Sequence, residues 1–277
     1  MKKLILAVLV LCLLAANANA TLYDIDKDPD HTLYGNLSQN DPAFKNVCPC
    51  WNVACGPVAV TNSYRYLERK YPNIYDNSLT GNPTNLPQTA ANLATLMNTC
   101  GFGTTYWDDL IWYKMKYIEA RVPGKTIYQA QHMPAWNWQI WDDPAAAKPE
   151  WVVPIIPKWQ FIWNELVACE DVEILINWVA DGNDYGHYLT VKSFHWNDTH
   201  NFGVIDFDED GWFDYIDPGT GKRGQSKLWQ SSDGGILETD YNAFNPNITM
   251  VVSESIPEPA TLLLFGIGGL LIGRRRK

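Results

Sequence analysis

Residues 48–70 read CPCWNVACGPVAVTNSYRYLERK, and the fold turns on how Cys55-Gly56-Pro57 sits among them. Val58, Val60, Tyr64 and Leu67 recur at the spacing of one helical face, while Asn62, Arg65, Glu68 and Arg69 fall on the other. Pro57 suits a first helical turn, because the N–H it lacks would have no helical partner, and Gly56 lets a neighbouring group come close to the backbone. The helix is therefore expected to begin at the Cys55 thiol. Its N-terminus carries roughly half a positive charge, which draws a thiol of ordinary pKa about 8.5 toward thiolate. A merely buried cysteine would also suit a helix start, so what matters is whether a base can reach it.

The best-placed base is His187 in YGHYLTVKSFHW (185–196), where His187, Leu189, Val191 and Ser193 would share one face of a strand. A cysteine at a helix start and a histidine opening a strand far downstream is the arrangement of Cys-His nucleophilic enzymes, whose partners meet in space and not in sequence. These pieces resemble the papain-like cysteine peptidases, and among them the C39-like group. The resemblance is carried by Cys55-Gly56-Pro57, by a helix near 161–168 leading into the apolar strand 172–179, and by Gly186-His187 opening the next strand. It continues through Tyr215-Ile216-Asp217-Pro218 and Gly219-Thr220-Gly221, and covers residues 47–225.

The resemblance implies an α+β, papain-like fold over residues 47–253, with a helical part packed on a mostly antiparallel sheet. It also implies a Cys55-His187-Asp217 triad acting on amide or thioester bonds of a peptide or protein substrate, with no required cofactor. Asp206 is the second choice for the acid. That family places a Gln shortly before the Cys to support the oxyanion, whereas residues 46–54 here read NVCPCWNVA, which leaves Asn46 or Asn52 for the role. Hydrolysis and transglutaminase-like acyl transfer are both compatible with the sequence. So is a non-catalytic surface or matrix protein that uses the same shell, with its tryptophan-rich face, as a binding module.

Residues 1–20, MKKLILAVLVLCLLAANANA, have two lysines, an apolar run and small residues at Ala18 and Ala20, the pattern of a secretory signal cleaved before Thr21. Residues 254–277 contain Pro257-Glu258-Pro259, an apolar run to Gly273 and the basic end Arg274-Arg275-Arg276-Lys277. This tripartite tail resembles the PEP-CTERM sorting signal of Gram-negative bacteria. It implies transient membrane insertion with the basic end on the cytoplasmic side, processing by an exosortase-type enzyme, and delivery to the cell surface or extracellular matrix.

Without residues 1–20 and 257–277 the chain has 15 Lys and Arg against 30 Asp and Glu, a charge of −15, which excludes nucleic acid as an expected partner. Residues 21–46 are polar and turn-rich and read as an arm over the domain. Five cysteines remain after signal removal: Cys48, Cys50, Cys55, Cys100 and Cys169. In an oxidising compartment, four of five can pair, and Cys55 is the thiol expected to stay free. Cys48 and Cys50 are expected to bridge, if at all, to Cys100 or Cys169.

Nine of the thirteen tryptophans fall between Trp107 and Trp178, a cluster expected to serve packing, with His132 structural among them. Residues 206–217 match a twelve-residue calcium loop, with Asp206, Asp208, Asp210, Asp214 and Asp217 at the oxygen positions and Gly211 at the sixth. A structural calcium ion is expected there. Asp217 is then claimed both by the ion and by His187.

Overall fold

The computed structural model describes residues 21–81, 85–198, 210–231 and 235–256. Helices fill the first half: α1 (Pro42–Val47), a short 3-10 turn (Trp51–Val53), α2 (Cys55–Lys70), α3 (Pro72–Tyr75), α4 (Leu86–Leu96), α5 (Thr99–Phe102), α6 (Trp107–Glu119) and, later, α7 (Trp159–Val167). The strands are β1 (Thr21–Asp26), β2 (Ile127–His132), β3 (Val152–Val153), β4 (Asp171–Ala180), β5 (Asn183–Asp198), β6 (Asp210–Asp217), β7 (Lys222–Gln230), β8 (Leu237–Thr239) and β9 (Asn247–Ser255).

The sheet is antiparallel except where β2 meets β3. Because β4 pairs with both β5 and β9, strands β4 to β9 close on themselves as a ring, and β1 and β2 extend it at β5 and β9. Alternation of side chains along the strands makes two cores. Ile174, Leu189, Phe194, Phe213 and Leu228 fill one, covered by α7, whose Trp159 stacks on Trp196 at 5.1 Å. Leu175, Tyr188, Ile216 and Met250 face the other, against α2 and α6.

α2 differs from the two-faced helix expected from its sequence, being buried continuously from Gly56 to Glu68. The polar residues Asn62 and Glu68 meet backbone and not water, and the exposed Arg69 reaches backbone as well. Asn62 exchanges hydrogen bonds with both the N–H and the carbonyl of Leu37, at 2.8 and 3.1 Å. Glu68 accepts the Leu79 and Thr80 N–H groups at 2.9 and 2.6 Å and pairs with Arg65 at 3.0 Å, while Arg69 donates to the Tyr34 carbonyl at 3.0 Å. Buried groups of this kind must be satisfied or they cost about 1–3 kcal/mol each. Residues 21–46 are therefore more than an arm. β1 pairs with β5 from Thr21↔Asp198 to Asp26↔Ser193, and residues 34–39 are fastened to α2 and to the β6–β7 turn.

A second buried polar feature joins α6 to the sheet. Lys114, without solvent exposure, lies 3.2 Å from Asp171 and touches Glu173 and Glu254, so three carboxylates surround one ammonium.

Candidate active site

α2 begins at Cys55, and Gly56 is what lets it begin so close to its neighbours. A Cβ at position 56 would lie 3.0 Å from Leu110 Cδ1 and 3.1 Å from the Thr105 side chain. The half-buried Cys55 sulfur interacts with the His187 ring and with the Gly56 and Tyr188 backbone N–H groups, all of which favour its thiolate. His187 stands near the start of β5, opposite Ile176 of β4, where the sheet reaches the N-terminus of α2. Its Nε2 is 2.9 Å from Asp217 Oδ1, which leaves Nδ1 for the cysteine, and Tyr241 stacks over the ring at 5.5 Å.

Asp217 closes β6 and is held by the turn that follows it. Its Oδ1 accepts the Gly219 N–H at 2.7 Å and its Oδ2 the Thr220 hydroxyl at 3.2 Å. The same turn binds the N-terminal segment: the Gln39 N–H donates to the Pro218 carbonyl at 2.7 Å, and Ser38 Oγ to the Gly219 carbonyl at 2.9 Å. Gly221, at φ +67°, passes so near the Asn36 carbonyl that a Cβ would come within 2.6 Å of it.

These contacts set the charges. Burial opposes the imidazolium, yet the hydrogen bonds and charges of Asp217 and Cys55 hold the His187 pKa up to about 9. Burial also opposes the Cys55 thiolate, but the His187 ring and the two backbone N–H groups bring its pKa below the ordinary thiol value. Asp217 is likewise held low by His187, against burial. All three directions favour thiolate, imidazolium and carboxylate over their neutral forms.

The structure thus brings Cys55, His187 and Asp217 together, and Asp206 lies outside the described residues. Asn46 and Asn52 are exposed. Gln39, which the sequence gave no reason to single out, comes to the junction: its Nε2 donates to the Asn52 carbonyl at 3.4 Å, and its Oε1 is buried without a hydrogen-bond partner. It lies sixteen residues before Cys55, too far along the chain for a local motif, and only the fastening of residues 34–39 reveals it.

The calcium frame does not hold over its described part. Asp206 and Asp208 lie outside the described residues, but 210–217 is strand β6, not a loop, with Gly211 paired to Trp196 and Leu228. Asp214 accepts from Ser193 at 2.6 Å and from Gln225 at 2.9 Å, whereas Asp217, three residues on and so on the opposite strand face, serves His187. These two carboxylates cannot converge on one ion. For Asp210 the structure gives the backbone, which pairs with Asn197 and Trp229 in the same strand.

Of the cysteines, Cys50 and Cys100 are bridged, while Cys48, Cys55 and Cys169 are free. The tryptophans pack as expected: Trp107 stacks on His132 at 4.2 Å and contacts Trp136 and Trp138. His132 is buried, its Nδ1 2.9 Å from the Met133 carbonyl, and burial keeps it neutral-leaning. Trp107 and Trp136 also border a cleft of about 470 Å³ that opens at Cys55, with Thr105, Tyr106, Asn177, Tyr185 and Gly186 on its walls.

A family model for the PEP-CTERM protein-sorting motif matches residues 255–277. The chain is exported and surface-sorted. The motif directs proteins to the Gram-negative cell surface or extracellular matrix and is recognised by exosortase. The match covers the sorted tail and leaves the domain before it unassigned. No curated protein matches the chain. Among the described residues, no helix is long and apolar enough to cross a membrane.

Proposed function

We propose that the sorted domain is a cysteine peptidase-like hydrolase of papain-like fold, acting on amide bonds at the cell surface or in the matrix. The observation that carries this reading is one imidazole hydrogen-bonded to a carboxylate and facing a helix-start thiol whose thiolate it stabilises. The Cys55 thiolate attacks the carbonyl carbon, and the developing oxyanion is met by the Cys55 N–H, which has no partner within its own helix. Gln39, whose Nε2 donates to the carbonyl of Asn52 three residues before Cys55, is the side-chain amide we assign to support it. His187 then gives its proton to the leaving amine, water attacks the thioester with His187 as base, and Asp217 holds the ring throughout. The cleft walls of Tyr106, Trp107 and Trp136 suit a substrate with an apolar or aromatic side chain next to the cleaved bond.

The test is alkylation of the exported chain with iodoacetamide near neutral pH, mapped by mass, together with turnover of peptide pools. Cys55 should react faster than a model thiol and faster than Cys169, and Cys55→Ala should abolish turnover. Slow alkylation of Cys55 would sink the reading. Fast alkylation without cleavage, but with amine incorporation into acyl donors, would assign acyl transfer instead.

A further inference from the structure

Three sulfur atoms meet in front of α2, apart from the Cys55 site. Cys50 and Cys100 form a disulfide, and the free Cys48 thiol lies 3.6 Å from the Cys50 sulfur. All three sulfurs lie within 4.8 Å of one another. Cys48 is buried at 2% exposure behind Phe44, Val58 and Ala90, Cys50 is half-buried, and Cys100 is exposed. With all three sulfurs this close, Cys48 touches Cys50 from the side of the Cys50–Cys100 bond, and its side chain must swing into line with that bond before exchange. The Cys50 backbone N–H also donates to the Cys48 sulfur, which helps a thiolate form there, although burial holds the thiol above its ordinary pKa.

We propose that Cys48, Cys50 and Cys100 form a thiol–disulfide exchange site in which Cys48 attacks Cys50 and frees Cys100. Cys48 loses its proton to solvent, and its sulfur bonds to Cys50 as the Cys50–Cys100 bond breaks. Cys100 leaves as thiolate and takes up a proton. No net oxidation or reduction occurs, so no co-reactant is needed. The product is a local Cys48–Cys50 bridge and a surface thiol open to a small disulfide or a partner cysteine.

The exchange has a structural consequence. In the first form the bridge ties the segment ahead of α2 to α5, and α5 leads into the cleft wall through the Thr99–Thr105 hydroxyl contact at 2.9 Å. In the second form that wall is held by non-covalent contacts alone. The exchange stands independently of the peptidase reading.

The experiment is a native-state trap. The full oxidised chain, without reductant, is incubated with N-ethylmaleimide at a series of pH values, then denatured, reduced, given a second label and mapped. The buried Cys48 is shielded, whereas a freed Cys100 is captured irreversibly. Cys100 should take the first label while Cys48 and Cys50 take the second, at a rate rising about tenfold per pH unit below the Cys48 pKa. In Cys48→Ser the Cys100 label should vanish, and in Cys100→Ser incubated with oxidised glutathione a Cys48–Cys50 bridge should form as two glutathione thiols are released. The proposal is overturned if Cys100 stays unlabelled after Cys55 and Cys169 have reacted fully, or if Cys48→Ser labels Cys100 as fast as the natural chain. Labelling at Cys55 reads the peptidase proposal separately in the same map.

Discussion

Asp217→Asn keeps the shape of the side chain, and its Oδ1 can still accept the Gly219 N–H, but the charge beside His187 is lost. Burial opposes the imidazolium, the Asp217 hydrogen bond is the largest influence in its favour, and together with Cys55 and the Asp217 charge it holds the pKa to about 9. The pair is 14% and 18% exposed, so solvent screens it only in part. Losing an opposite charge in direct contact lowers such a pKa by about 1–3, or ~1.4–4 kcal/mol. Because the thiolate depends on the imidazolium, the Cys55 pKa should rise by a comparable amount. The acid limb of the alkylation-against-pH curve then moves up by about 1–3 pH units, and alkylation below it slows by about 10- to 1000-fold. Stability follows the same sign. His187 contributes stability that is fully present below its unfolded pKa of 6.5 and lost as pH rises through about 9, and in the variant that loss should come at lower pH. The assay is mass-mapped alkylation across pH, with the His187 ring titrated by NMR. If the variant folds and neither the limb nor the ring pKa moves, Asp217 does not hold His187 and the triad is refuted.

Gln39→Ala should lower turnover by about 10- to 1000-fold, as expected for loss of an oxyanion donor, while leaving Cys55 alkylation within about twofold. An equal loss of both would make Gln39 a structural residue. Gly56→Val should destabilise by about 1–3 kcal/mol in chemical denaturation, because the Cβ already meets Leu110 and Thr105 at 3.0–3.1 Å and the added methyls have no space. Lys114→Met should cost about 3–5 kcal/mol near neutral pH by leaving Asp171, Glu173 and Glu254 buried without a cation. Burial already pushes Glu173 up to about 7 and raises Glu254, so the deficit should shrink as pH falls from about 7 toward 4.5 and these carboxyls take up protons. Chelation by EDTA should leave Cys55 alkylation unchanged, since Asp217 is bound to His187; slower alkylation would restore a metal-linked role for residues 206–217.

What could be read from the sequence was whatever local chemistry dictates. Cys55-Gly56-Pro57 marks a helix start because the backbone demands of a first turn are written in those three residues, and α2 begins there. The helix read near 161–168 overlaps α7, and the strand read over 172–179 falls within β4. The Asp-Pro-Gly-Thr-Gly run gave Asp217 its turn, and the turn does hold the carboxylate. Pairings between distant segments were not legible. β1 was hidden in a polar stretch because its partner β5 supplies the hydrogen bonds, and a strand so paired needs little apolar alternation of its own. The polar side of α2 looked solvated for the same reason, since Asn62, Glu68 and Arg69 are satisfied by backbone from residues 34–37 and 79–80, which no periodicity announces. The calcium frame departs from the structure over its described part in the opposite way: a spacing that fits a loop fits a strand equally, and β5 and β7 pair with 210–217 on both sides. One consequence joins these cases. Residues 34–41 hydrogen-bond both to α2, which starts at Cys55, and to the turn that holds Asp217, so the N-terminal segment fixes the distance between Cys55 and Asp217. The proposed triad needs His187 between the two at that distance, so a segment that carries no catalytic signature of its own becomes a condition of the proposed site.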